Sequence, residues 1–240
     1  MSSAPSPSGG AQRNMVADIV RRFVVVAVFI ILQAVILFGA AGNVNWIWAW
    51  VFLAICVLTV VINGTIALRV HPGVIAERGR MPQTAGWDKL VSGLGGLAMY
   101  ILAPLVAGLD QRFHWTRGLS TTWNIVGAVG LAASWGLVAW AMISNAYFST
   151  AVRIQTERGH TVCSSGPYRF VRHPGYVGFG LQIPATALLL GSLWTVPVGI
   201  AVVVLMVIRT SLEDRFLQAN LPGYAEYAQR VRYRLIPGLW

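Results

Sequence analysis

Charge is what this sequence has least of. Charged residues make up 11% of its 240 positions, against roughly 25% in soluble domains, which excludes an ordinary soluble domain. Acids are scarcest: there are eight Asp and Glu, beside four histidines at no ligand spacing, so no metal centre is expected. Cysteine is nearly absent too. Cys56 lies in an apolar run and Cys163 in a polar loop, so no disulfide framework is implied, and the first reads as a small buried hydrophobe. The net charge of +10 could suggest nucleic acid, but these segments offer no recognition fold, so no nucleic-acid partner is expected. Cationic loops flanking apolar spans account for the charge instead.

What is present is apolar sequence, 56% of the chain, with ten Trp. Apolar runs fall at roughly 23–42, 46–68, 90–109, 122–144, 175–191 and 194–209, and a bilayer core needs about 20 helical residues. The expected fold is all-α: a polytopic membrane helical bundle of about six spans, with the lipid bilayer as its partner. The last two runs are short, are interrupted by Pro184 and Pro197, and are separated only by Gly191-Ser192-Leu193. They read as a C-terminal helical hairpin. Residues 1–14 are rich in Ser, Pro and Gly and read as a disordered tail. Arg21-Arg22 before Phe-Val-Val-Val faintly resembles a twin-arginine signal. The run outlasts a typical signal core, however, and the next span follows at once, so a retained helix is expected.

Sixteen of the eighteen cations fall on one side of a six-span arrangement, leaving Arg112 and Arg117 on the other. That imbalance places both termini in the cytoplasm, in the plasma or inner membrane of a bacterium or the endoplasmic reticulum of a eukaryote. Trp46, Trp48, Trp50, Trp115, Trp123 and Trp194 gather near the opposite interface. The last twenty residues, LPGYAEYAQRVRYRLIPGLW, are too polar to span. Pro222 suits a helix start, and Tyr224, Tyr227 and Val231 share a face, as in a cytoplasmic interfacial helix.

Polar chemistry is concentrated in two blocks, RIQTERGHTVCSSGPYRFVRHPGYVG (153–178) and RTSLEDRFL (209–217). The short hairpin turn would bring them together as a cytoplasmic pocket. Pro174 suits a first helical turn, and the amides of residues 174–178 would form an open helix N-terminus attracting anionic oxygens. Gly175 and Gly178 permit close approach, and Tyr168 and Tyr176 offer rings for stacking. Arg209 and Glu213 share a helical face. The carboxylate could hold an ammonium or ribose hydroxyls, or simply neutralise Arg209, and the arginine could clamp an anion. His71 and His173 both precede proline and could be plain turn residues.

GPYRFVRHPGYVG (166–178), the apolar hairpin behind it and the Glu-bearing, tyrosine-rich tail resemble the isoprenylcysteine carboxyl methyltransferase family. That family groups with integral-membrane phospholipid and thiol methyltransferases. The resemblance covers roughly residues 145–240, and HPGVIAERGRMP resembles the family's bacterial branch more weakly. It implies residues 15–144 as N-terminal transmembrane helices and 145–240 as the catalytic region. It also implies S-adenosylmethionine as cofactor, leaving as S-adenosylhomocysteine, and a lipophilic or lipidated acceptor. Matched to the family motif, His160, Thr161, Val162, Cys163, Tyr168, His173, Pro174, Gly175 and Tyr176 would line the cofactor, with Glu213 as its acidic partner. Arg209 would face the substrate as the catalytic residue. Arg153 stands where the family often has an amide side chain, making Gln155 its rival, and SLED departs from the glutamate run of eukaryotic members. A lipophilic carboxylate is the favoured acceptor. A small thiol, a phospholipid amine, or a non-catalytic role in binding anionic lipid or a partner are the alternatives.

Overall fold

The structure is a computed structural model and describes residues 9–79, 86–117 and 119–240. Among these, helices are the only regular elements: α1 (Gly9–Ala41), α2 (Ile47–Val70), α3 (Pro72–Gly79), α4 (Gly86–Leu97), α5 (Ala103–Phe113), α6 (Thr121–Ser144), α7 (Pro174–Leu190), α8 (Thr195–Asn220) and α9 (Tyr224–Arg230). Five stretches are long and apolar enough to cross a membrane: Met15–Ala41, Ile47–Val70, Gly86–Phe113, Thr121–Ser144 and Thr195–Asn220. α7 is shorter and apolar.

The expected tail is partly replaced by helix, since α1 begins at Gly9; residues 1–8 lie outside the described residues. Once the apolar run has nucleated a helix, adding residues such as Ala, Gln and Arg before it costs little.

Two His-Pro-Gly triplets start helices in the same way. His71 and His173 adopt non-helical backbone angles, and the following prolines open α3 and α7. A residue before proline is steered away from the helical region, while proline itself suits the first turn. The weaker motif at 71–82 is described as far as Gly79, where α3 ends.

α4 runs into α5 through one wider turn at Ala98–Leu102, in which the Ala103 N–H donates to the Ala98 carbonyl. Pro104 follows at the start of α5. It has no N–H and its ring crowds the preceding carbonyls, so one residue of slack lets the helix continue. Tyr100 sits in that turn.

Pro197 does not shorten the last span. It falls in the first turn of α8, and the helix continues to Asn220. Arg209, Glu213 and Asp214 therefore ride on one continuous rod. α7 keeps Pro184 inside it and ends at Gly191, whose φ of +68° suits glycine. Asn124 of α6 donates to the Leu188 and Leu189 carbonyls there, at 3.1 and 3.0 Å. α6 and α7 pack backbone to backbone: a Cβ at Gly127 would stand 2.2 Å from the Leu189 nitrogen. Small residues at such crossings are how helices associate where lipid removes the hydrophobic drive.

At the end of the bundle carrying the 191–194 turn, buried Asp110 accepts from the Thr116 backbone and hydroxyl and from Ser192. Trp115 and Trp194 meet there, with ring centres 5.9 Å apart. Trp46, expected among the interface rings, turns inward and joins the core. It packs with residues of α1, α2 and α7 such as Leu37, Phe52 and Leu189.

α9 departs from expectation. It begins at Tyr224, and Tyr224 and Tyr227 are buried against Tyr168, Leu221 and Ala141. The tyrosine face packs on the chain itself and not on a leaflet. The Tyr227 hydroxyl donates to the Tyr168 carbonyl at 2.7 Å, which ties the face to the chain.

Candidate functional site

The two polar blocks converge. A cavity of about 520 Å³ is lined by both of them and by apolar residues of α1, α2, α6, α7 and α8. Small-molecule sites commonly span about 300–1,000 Å³.

One buried carboxylate holds the site's frame together. Asp214 on α8 has no solvent exposure. Arg172 donates to both of its oxygens, at 2.7 and 2.9 Å, and Arg234 donates to one at 2.9 Å. The Tyr224 hydroxyl and the Gln218 amide donate to it as well. Arg172 donates further to the Val231 and Arg232 carbonyls, and the backbone N–H groups of Arg172 and His173 donate to Tyr233 and Arg234. The loop before α7, the middle of α8, α9 and the C-terminal tail thus meet at one side chain. Sequence reasoning chose Glu213 and passed over its neighbour. The available signal was scarcity, because an acid among eight, beside five nearby cations, has a partner to find.

Glu213 faces the cavity one position earlier, and its carboxylate accepts from the Tyr176 hydroxyl. The Arg209 guanidinium lies over the Tyr176 ring at 5.4 Å. Arg209 is also tied down elsewhere: it donates to Asp88 on α4 at 2.9 Å and to the Thr150 carbonyl at 2.7 Å. Asp88, 2% exposed, also accepts from the Val152 backbone. Asp88 escaped sequence reasoning because it is 121 residues from Arg209 and stands just before the apolar run. Glu213 is therefore engaged by Tyr176, whereas Asp88 is the carboxylate paired with Arg209.

His160, Thr161, Val162, Cys163, Tyr168, His173, Gly175, Tyr176, Arg209 and Glu213 all line this one cavity. Pro174 is not on the lining; it is buried as the first residue of α7. The α7 N-terminus is also less open than expected. The Tyr176 and Val177 amides turn back onto the His173 carbonyl, and proline has no N–H to offer an anion.

Segment 145–163 is held by its own polar ties. Arg153, on the lining, makes a bidentate pair with buried Glu77 of α3 at 2.8 Å and another with Glu157. Those carboxylates push its pKa above the ordinary arginine value. Gln155 faces away from the cavity: it is 1% exposed, donates to the Tyr147 carbonyl and accepts from Arg158. His160 stacks on Tyr147, with centroids 4.4 Å apart. Burial, then Arg158 and Arg153, lower its pKa, and its Nδ1 accepts from the Gln155 N–H. The neutral ring therefore carries its proton on Nε2, where it serves as a donor and not as a base. Burial raises the Tyr168 and Tyr227 hydroxyls well above their usual range, so both stay protonated. The Cys163 thiol donates to the Ser144 carbonyl at 3.1 Å.

Three donors on the lining, Trp135 Nε1, Gln182 Nε2 and Thr186 Oγ1, are buried without a hydrogen-bond partner among the described residues. Leaving a buried donor unpaired costs about 1–3 kcal/mol. The cavity is thus a place with hydrogen bonds to give.

Residues 128–219 match the isoprenylcysteine carboxyl methyltransferase (ICMT) family. The match takes in the GPYRFVRHPGYVG segment and Glu213, reaches back into α6, and stops before the tail. Over 84 residues the chain is 40% identical to the cobalt-zinc-cadmium resistance protein CzcN of Cupriavidus metallidurans, covering 34% of this chain and 38% of that protein. The match thus spans well under half of either length. Five stretches of spanning length and the family match over residues 128–219 both point to an integral membrane protein.

Proposed function

From the premise that residues 128–219 carry the ICMT pattern, we propose that the protein is an integral-membrane methyltransferase. It uses S-adenosylmethionine and methylates a lipophilic acceptor, most readily a carboxylate. One observation carries this reading: Tyr176 and Glu213, from separate blocks, are hydrogen-bonded on the wall of a single cavity that continues between apolar helices. A water-soluble ligand and a membrane-dissolved one can meet there.

The residues present fit such a cofactor. Glu213 offers a carboxylate for an ammonium or for ribose hydroxyls, and Tyr168 and Tyr176 offer rings. Segment 160–163 and Gly175 supply the rest of the wall. When bound, the cofactor supplies a methyl carbon already activated by its sulfonium, so the protein's work is alignment and exclusion of water. Arg209, pinned by Asp88 and Thr150, keeps its charge beside Tyr176, where it orients the acceptor's reacting end. The catalytic region is then residues 145–240, completed by walls from the N-terminal helices. Both termini are cytoplasmic, and α7 and α8 form the last two of six crossings.

Methylation of a small thiol or a phospholipid amine is the second reading. The cavity's charge weighs against the amine, since Arg22, Arg78 and Arg209 all line it. A thiol would need a base, and His160 presents a donor.

Calorimetric titration with S-adenosylmethionine tests the cofactor, with saturable binding expected. Folded protein showing none would remove both enzyme readings and leave a binding protein for anionic lipid. Transfer of labelled methyl to carboxylate, thiol and amine acceptors then separates the two enzyme readings. Arg209→Ala is expected to lower turnover about a hundredfold, the scale of one lost charge-stabilising donor, with cofactor affinity within about threefold. Loss of cofactor binding in that variant would reassign Arg209 to the cofactor.

A further inference from the structure

Arg22 of α1 and Arg78 of α3 lie on the wall of the same cavity, far outside the segment that matches the family. α1 and α3 touch closely. A Cβ at Gly79 would stand 1.9 Å from the Asp18 carbonyl oxygen, so only glycine allows this approach. Asp18 is one turn before Arg22, and Gly79 directly follows Arg78, so the contact brings the two arginines near enough for the charge of Arg22 to act on Arg78. Tyr100, in the wide turn before α5, faces the same space. Among the described residues no carboxylate pairs with Arg22 or with Arg78. Every other cation on the lining has a carboxylate: Arg153 has Glu77, Arg172 has Asp214 and Arg209 has Asp88.

Arg78 instead rests its guanidinium over the Phe148 ring at 5.2 Å and reaches the Met142 sulfur at 3.7 Å. Burial, then the charge of Arg22, push its pKa down to about 9. Two adjacent cations in a partly dehydrated cavity repel, and an anion between them relieves both. Phe148 also lies against Gly175. Arg78 and Gly175, on the wall assigned to the cofactor, therefore share Phe148 as a neighbour. Gln182, 3% exposed, adds an unpartnered donor to the same cavity.

We propose that Arg22 and Arg78 together form an oxyanion-binding site that recognises the acidic head group of a lipophilic acceptor, whose tail occupies the apolar part of the cavity. The proposal rests on the methyltransferase reading for the word acceptor, but the anion site stands on its own geometry. The pair sets affinity for the acid, whereas Arg209, on the wall assigned to the cofactor, bears on turnover.

The test uses the full chain in nanodiscs of zwitterionic lipid. Three tritiated probes are compared: a long-chain carboxylate, a long-chain alkyl phosphate, and the methyl ester of the carboxylate. At least one acid is expected to bind about tenfold or more tightly than the ester; which acid does so distinguishes a carboxylate acceptor from a phosphate one. Arg22→Gln and Arg78→Gln should each remove most of that preference, and Arg78→Lys should keep part of it. Equal binding of acids and ester by the unaltered protein overturns the proposal without any variant. So does a preference that survives in the folded double variant R22Q/R78Q. Calorimetry with S-adenosylmethionine on the same samples separates the two readings. Acid preference without saturable cofactor binding keeps the anion site and sinks the methyltransferase. Cofactor binding without acid preference does the reverse.

Discussion

Asp214→Asn is expected to destabilise the protein by about 3–5 kcal/mol, the cost of removing one partner from a buried ion pair. For a chain of this size that is a fall of roughly 6–20 °C in melting temperature, read by thermal unfolding in detergent. The substitution is nearly isosteric, so no cavity accounts for the loss. It removes the negative charge that faces Arg172 and Arg234, and in either orientation it turns an NH2 group toward guanidinium N–H donors, which can accept nothing. Arg172 is 7% exposed and Asp214 is fully buried, so water cannot take over. The loop before α7, α9 and the tail share this anchor, and they should loosen together. Protease cleavage within 224–240 should rise in step with the lower melting point. A shift below about 2 °C would show that the network is redundant, because one kcal/mol corresponds to about 2–4 °C here.

Glu213→Ala is expected to behave in the opposite way. Stability should change little, because Glu213 lies on the cavity wall and its recorded partner is the Tyr176 hydroxyl. Affinity for S-adenosylmethionine should fall more than about tenfold, since a charge-assisted contact to an ammonium or to hydroxyls is lost in a site shielded from water. Tyr176→Phe, which keeps the ring under Arg209, should cost about threefold, because the hydroxyl acts on the cofactor only by orienting the Glu213 carboxylate. Unchanged cofactor affinity in Glu213→Ala would mean that the carboxylate serves only to balance nearby arginines. The two neighbouring acids thus divide cleanly: one moves the melting temperature, the other the binding isotherm.

The contrast between Glu213 and Asp214 also shows where the sequence was legible. The family resemblance named residues 160–163 and 173–176 as one wall, and all of them but Pro174 line one cavity, since they are close in the chain and a proline-started helix holds the last of them in order. The rough bounds of the apolar runs were readable for a similar reason: a bilayer demands length and composition, and both are local. α8 ran further than its apolar run because helical propensity continues past the last hydrophobic residue, and Pro197 in its first turn costs nothing.

What could not be read from the chain alone was who faces whom. Pairing Asp88 with Arg209, or Arg172 with Asp214, depends on helices approaching across 121 and 42 residues, and no spacing rule reaches that far. Tyr224 and Tyr227 have the same periodicity whether they meet lipid or protein; packing turned them inward. Linear order thus dictated the helices, their starts and the chemistry offered along one loop. Three-dimensional packing alone decided which of eight acids would neutralise which arginines. Among the described residues it also left Arg22 and Arg78 without a carboxylate, because the fate of a charge depends on what comes within a few ångströms of it.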